Sequence, residues 1–310
     1  MTGGICALIS AKVVEPRTGR FRLDGTVNRL PQQSPALQTL GALILWVGWY
    51  GFNGGSVGSV SSGRSELVAE AAVNTTIAAA ASVLSMGVLM KCIYKKFDSA
   101  HLNNGILSGL VAISASGPLV YPEGAFIIGI LASAFYLLGV EGLRRLKIDD
   151  VVQASAVHFG CGIWGLIASG LLTSDSRYRD VYNLGMSDEF DDGQKKCCGL
   201  LYGCGGSLLG ANVIFMLAIV SWVGVLSYVC LLAIKHSVGL RVPLHVEEMG
   251  MDKSRHGRQS RGSIALRQAL RSAAASENRT SSTSSHRPSF KSSQTMSPRS
   301  APVMLPHWRD

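Results

Sequence analysis

The 310-residue chain is 47% hydrophobic and only 16% charged, carries 35 glycines, and has a formal net charge of +9. Such a balance suits tightly packed transmembrane helices, whose backbones approach closely where side chains are small. Enzyme signatures are missing: the sequence has no CxxC pair of zinc spacing, no phosphate loop and no nucleophile elbow.

In chain order, a short apolar run over residues 3–14 comes first, too short to span a bilayer and without the charged start of a secretory signal. It reads as the second half of a helix. Six longer runs follow, at 37–51, 66–89, 106–120, 125–143, 151–172 and 208–234. These predict an all-α, polytopic transmembrane bundle of about six full spans plus half of a seventh. Some runs are shorter or more polar than the roughly 20 residues of a simple span. Organisation follows: a partial helix at 1–14, a six-span membrane domain at 15–240, a short tail segment at 241–257, and a basic Ser/Arg-rich tail at 258–310. From Met251 to Asp310 there are eleven Lys plus Arg and three acids, in a Ser- and Ala-rich context that predicts disorder. Such a tail can rest on anionic lipid; a nucleic-acid partner is not expected of a polytopic membrane protein.

Charge orients the spans. Alternate connections hold Lys12, Arg17, Arg20, Arg22 and Arg29, then Lys91, Lys95 and Lys96, then Arg144, Arg145 and Lys147. The intervening ones hold Arg64 alone, then none, then a segment in which Arg177, Arg179, Lys195 and Lys196 face six acids. The positive-inside rule therefore places the basic set and the C-terminus in the cytoplasm. Of seven cysteines, Cys6, Cys92, Cys161 and Cys230 fall in or near spans as small apolar residues. Cys197, Cys198 and Cys204 lie near the outer face, where an intramolecular or an intersubunit disulfide is open.

The most informative stretch is 149–165, DDVVQASAVHFGCGIWG. Nine helical residues past Asp149, His158 stands about 13 Å along the axis, near the middle of a hydrocarbon core about 30 Å thick. An ionisable group at that depth marks a cavity or conduction path; the plainer alternative is a histidine packed through one hydrogen bond. Asp149 and Asp150 read structurally, as negative charge at a helix N-terminus. Asn74, inside an apolar span, reads as inter-helix glue. Ser114 reads as a residue bonding its own helix backbone.

Five ordered motifs carry a family resemblance. WVGWYGFNGGS at 46–56, NTTIAAAAS at 74–82, GILSGLVAISA at 105–115, the 149–165 stretch, and GMDKSRHG at 250–257 together resemble the ammonium transporter (Amt/Mep/Rh) family, and the stretches 17–21 and 199–210 look most like its plant and protist branch. The resemblance implies eleven spans in two pseudo-symmetric halves, of which this chain corresponds to the end of the fifth through the eleventh. Two readings of Met1 are open, an internal methionine of a longer gene or the start of a truncated paralogue, and the first is preferred because a helix cut in half exposes unpaired backbone groups to lipid.

By that resemblance, Phe52 is a gate phenylalanine and Ser56, one turn further out on the same face, is the serine that binds the recruited cation. An aromatic face attracts a cation and a hydroxyl accepts its hydrogen bond. His158 matches the second of two pore histidines that help deprotonate ammonium so that ammonia crosses. Two residues depart from the pattern: Phe159 stands where glycine is usual, and Gln153 replaces an acid. Ser254 occupies the position of a regulatory phosphorylated threonine in a tail that braces a neighbouring subunit. The implied protein transports ammonium or methylammonium without cofactor or metal. It is expected in the plasma membrane, amid lipid, as a homotrimer or in a trimer with a full-length paralogue. The rival reading is a non-conducting ammonium sensor or a regulatory subunit.

Overall fold

The computed structural model describes residues 1–22, 26–28, 30, 34–61, 63–182 and 197–255. It divides into a unit of Met1–Leu244 and a second of His245–Asp310. The tail expected to be disordered, 258–310, lies outside the described residues, as do Arg29, Lys195 and Lys196.

Helices form where the apolar runs predict them, with ends set by identifiable caps. Helix α1 is Thr2–Val14 and α2 is Pro35–Gly55. Proline at the first position and the Ser34 hydroxyl, accepting from Leu37 N at 3.3 Å, start α2. Helix α3, Ser65–Tyr94, ends at Lys95 in the left-handed conformation (φ 59°). Helix α4, Ser99–Ile113, opens where the Asp98 carboxylate accepts from Ala100 N at 2.9 Å. Helix α5 is Pro122–Arg145. It closes with Ile148 N bonding Leu143 O at 3.0 Å across Lys147, which is also left-handed (φ 55°). Helix α6 covers Ser155–Leu172, its first six residues Ser155–Gly160 wound as a π-turn. A short α7, Asp175–Tyr182, precedes α8, Ser207–Ser237. Helix α9, Leu244–Met249, begins at the last residue of the first unit, and α10, Met251–Arg255, lies in the second.

No strand is present among the described residues; Phe21 and Val27 form one isolated bridge. Four described helices are long and apolar enough to cross a membrane: α3, α5, α6 and α8, with mean hydropathies of 1.8, 2.0, 1.5 and 2.4. The other two predicted runs are occupied by α2 and α4, which are less apolar or shorter. Gln38, Thr39, Asn53 and several glycines dilute the apolar character of α2. Helix α4 has 15 residues and is displaced toward the N-terminus of its apolar run, because Pro118 and the residues around it form a turn instead. The chain is a polytopic transmembrane helical bundle.

The core lies among α3, α4, α5 and α6, around Met86, Met90, Ile113, Ile128, Tyr136, Val157, Cys161 and Trp164. Ala78 of α3 is the tightest point. Gly109 of α4 and Gly129 of α5 both abut its backbone so closely that a Cβ on either would collide. Polar groups inside the bundle bond one another. Asn53 donates to Thr75 Oγ1 at 2.8 Å, and Ser85 meets Ser133 at 2.8 Å. Trp164 donates to Ile128 O at 3.0 Å. Helix α8 packs on α1 and α6, yet none of its residues is buried.

Candidate functional site

Helical spacing puts Trp49, Phe52 and Ser56 of α2 on one face, at i, i+3 and i+7. The Trp49 indole donates to Ser114 Oγ at 2.9 Å, which fixes the ring, while Ser114 donates to Leu110 O at 2.8 Å. Ser114 thus bonds its own helix backbone and anchors a neighbour. Trp49 lies nearly parallel to the imidazole of His158, with ring centroids 6.4 Å apart and planes inclined by 8°. On its other side Trp49 meets Phe52 at 6.2 Å and 55°. Phe52 is 63% exposed. The Ser56 hydroxyl donates to Phe52 O at 2.8 Å. With its proton so engaged, that oxygen keeps its lone pairs for an incoming donor. Phe52, Trp49 and His158 therefore form a continuous aromatic row, with Ser56 one turn beyond Phe52.

His158 is half-buried on the π-turn of α6. A π-turn inserts one residue into the helical register and is frequent at functional sites. Two devices hold its start. The Asp150 carboxylate accepts from Ser155 N at 2.6 Å. Gln153, in the left-handed region at φ 60°, is held by the Tyr136 hydroxyl and by Asn104 Nδ2, the latter at 3.0 Å. A neutral amide thus occupies the place where the family resemblance implies an acid. The bulk of Phe159 does not keep the helices apart, because Gly4 of α1 meets the Phe159 backbone directly.

Asp149 faces away from this row. The Arg17 guanidinium grips it with Nε at 2.7 Å and a second nitrogen at 2.9 Å, Arg17 N adds 3.1 Å, and Arg20 Nε stands at 3.3 Å. Burial by itself would raise the Asp149 pKa; the Arg17 hydrogen bonds and the two cationic charges outweigh it and hold the carboxyl below its ordinary range. Asn74 donates to the carbonyls of Gly117 and Val120, at 2.7 and 2.8 Å, tying α3 to the turn between α4 and α5. A cavity of about 1000 Å³ opens at the Asp149 end of the bundle, lined by Arg17, Asp98, His101, Asn104 and Gln153 among others. Among the described residues, no cluster of His, Cys, Asp or Glu has the arrangement of a metal site. In the second unit, Ser254 donates to Met251 O at 3.0 Å.

Three members of this constellation escape sequence reasoning. Trp49 sits three residues before Phe52, and that spacing was the available signal. Tyr136 and Asn104 join only in three dimensions, at 3.1 Å. Asn104 left a trace as half of a polar pair at the head of an apolar run; Tyr136 left none.

Comparison with known proteins places the chain. The profile of the Ammonium Transporter Family matches residues 1–261. Ammonium transporter 1 member 1 of Oryza sativa subsp. japonica is 35% identical over 272 residues, covering 83% of this chain and 51% of that protein. The Arabidopsis thaliana protein of the same name is 34% identical over 268 residues, with the same coverage. The chain therefore spans about half the length of these curated relatives. Among solved structures, one titled Sensor Amt Protein superposes with a TM-score of 0.69 at 29% identity, over 82% of this chain and 57% of that one. Candida albicans Mep2 superposes at 0.66 and 26%, over 78% and 50%.

Proposed function

The chain belongs to the Ammonium Transporter Family, and from that premise we propose that it supplies one wall of an ammonium-conducting pore. The aromatic row running from Phe52 through Trp49 to His158 is the observation that carries this reading. In the proposed sequence, the Ser56 oxygen accepts from the recruited ammonium or methylammonium ion, and Phe52 attracts it by its ring face. A bare cation is costly in an apolar passage, whereas neutral ammonia is not. His158, its ring parallel to that of Trp49, serves as a proton-accepting and proton-donating partner at that step. Asp149, Asp150 and Asn74 are positioning elements that set the start of α6 and the turn beyond α4.

We further propose a homotrimer, or a trimer with a full-length paralogue, in the plasma membrane with the basic connections and tail in the cytoplasm. Phosphorylation at Ser254 regulates it. Fusing the N-terminal half of the rice relative to residues 1–310 tests the pore. The fusion should restore methylammonium uptake to ammonium-uptake-deficient yeast, and His158→Ala should cut uptake about tenfold or shift its pH dependence. Uptake unchanged in the His158→Ala fusion, at equal surface level, removes the histidine from the mechanism. The structural likeness to a protein titled as a sensor keeps a second reading open. A fusion that binds methylammonium in membranes yet accumulates none would favour it.

A further inference from the structure

The cavity at the Asp149 end of the bundle is lined by two side chains that each bury a polar atom without a hydrogen bond. Arg20 donates from Nη1 to Asn28 O at 2.6 Å. Its Nε is shielded from solvent and makes no hydrogen bond, standing 3.3 Å from Asp149 Oδ1 as an ion pair only. Gln38, near the start of α2, has its Oε1 buried with no donor to accept from. Buried polar atoms are nearly always paired, so each exception calls for a partner that the protein itself does not supply.

The two atoms have opposite needs. Arg20 Nε is a donor on a cation and suits an anionic oxygen; Gln38 Oε1 is an acceptor and suits an N–H. The charges around the cavity repeat that division. Arg17 and Arg20 bring positive charge, and Asp98 brings a carboxylate that accepts from Ala100 N at 2.9 Å and stands 3.9 Å from His101 Nδ1. A lone anion would face Asp98 and the Asp149 carboxylate that the two arginines hold; a lone cation would face two guanidinium groups. A zwitterion satisfies both. The neutral part of the wall holds Ser99, Asn104 and Gln153, with Asn104 Nδ2 donating to Gln153 Oε1 at 3.0 Å. Groups that both donate and accept match an amide side chain better than hydrocarbon or a third charge.

We propose that this cavity binds a free amino acid with an amide side chain, its α-carboxylate on Arg20 Nε, its α-ammonium on Gln38 Oε1 and its amide among Ser99, Asn104 and Gln153. The site has a route to α6. A carboxylate at Arg20 Nε competes with Asp149 for that cation, and Asn104 and Gln153 belong to the junction that holds the π-turn carrying His158. A bound molecule therefore acts on His158 through the helix backbone. The proposal rests on the cavity and not on what the bundle conducts; its readout is binding, which a failure of transport would leave untouched.

The test titrates L-glutamine into the full 310-residue chain in detergent by isothermal titration calorimetry, beside two analogues that each lack one charge. Glutaramate has no α-ammonium, and L-glutaminamide has no carboxylate. Saturable binding of L-glutamine at millimolar or lower concentration is expected, with both analogues at least about tenfold weaker. Gln38→Leu should weaken L-glutamine about tenfold and leave glutaramate, which has no ammonium to lose, nearly unchanged. Arg20→Gln should weaken L-glutamine and spare L-glutaminamide. No binding of L-glutamine leaves water as the partner of both buried atoms and overturns the proposal. Glutaramate binding as tightly as L-glutamine reduces the cavity to a simple anion site, and equal binding of L-glutaminamide removes the carboxylate contact; either result overturns it. These comparisons use the unaltered chain and stand whether or not a variant folds. Equal L-glutamine affinity in folded Arg20→Gln and Gln38→Leu chains moves the site elsewhere and overturns the proposal too.

Discussion

Asp149 has its side chain 2% exposed, whereas Arg17 retains 37%. The two partners are therefore not equivalent. Removing Arg17 strands a buried carboxylate with only Arg20 beside it, while removing the carboxylate leaves a guanidinium that water reaches. We expect Arg17→Ala to destabilise the solubilised protein by about 2–3 kcal/mol and Asp149→Asn by about half as much, read from thermal unfolding in detergent. The pH course follows from the depressed carboxyl. Its contribution is fully present above the unfolded value of about 4 and is lost as pH falls through the lower folded value. The gap in melting temperature between the natural chain and Asp149→Asn should accordingly stay constant from pH 7 to about 5 and close below about 4. A gap that instead grew on acidification would contradict the assignment of the charged form. Trp49 permits a second residue-level expectation. Trp49→Leu should lower methylammonium uptake in the rice fusion by about tenfold, with Trp49→Phe retaining more, because the phenyl ring keeps the contact with His158 and loses only the bond to Ser114. Equal uptake by the two variants would reduce Trp49 to filler.

At the scale of elements, close approach of backbones decides what can be changed. Gly129→Ala would drive a methyl group into Ala78 and should cost about 1–3 kcal/mol of stability. Gly142→Ala, later on the same helix and with open space at its Cβ, should be neutral or stabilising by up to about 1 kcal/mol. Similar melting temperatures for the two variants would argue against the α3–α5 contact. These helices also show how far the amino-acid sequence can be read. Long apolar stretches such as 66–89 and 208–234 announce α3 and α8, because continuous hydrophobicity has few other outlets. Helix α4 is harder to place. Ser99, His101, Asn103 and Asn104 resemble a connection until the fold supplies Thr39 and Gln153 as hydrogen-bond partners for the two asparagines. Phe52, Ser56 and His158 were visible through motif resemblance, and spacing alone linked Ser56 to Phe52. The stacking partner of His158 and the Tyr136–Gln153–Asn104 junction were not visible, since tertiary packing joins residues with no periodic relation.

At the scale of the whole molecule, the second unit bears Ser254. Adding a phosphate between Lys253 and Arg255 would place a dianionic group within a basic segment and cancel its positive charge. In the rice fusion, Ser254→Asp should lower uptake more than Ser254→Ala at equal surface level; identical uptake would leave Ser254 without a regulatory part. We expect another feature to report orientation in the membrane. Cys198 and Cys204 are joined in a disulfide at the end of the bundle where α6 gives way to α8, with Cα atoms 5.3 Å apart. Cytosolic thiol chemistry keeps such pairs reduced, so a bridge at this position is expected on the oxidising side of the membrane. It would act as a compass that owes nothing to the distribution of lysine and arginine. The opposite end, with Asp149 and the C-termini of α3 and α5, is then expected on the reducing side. A membrane-impermeant maleimide applied to intact cells should label an introduced cysteine at Tyr202 and spare one at Lys147; the reverse pattern would turn the molecule over.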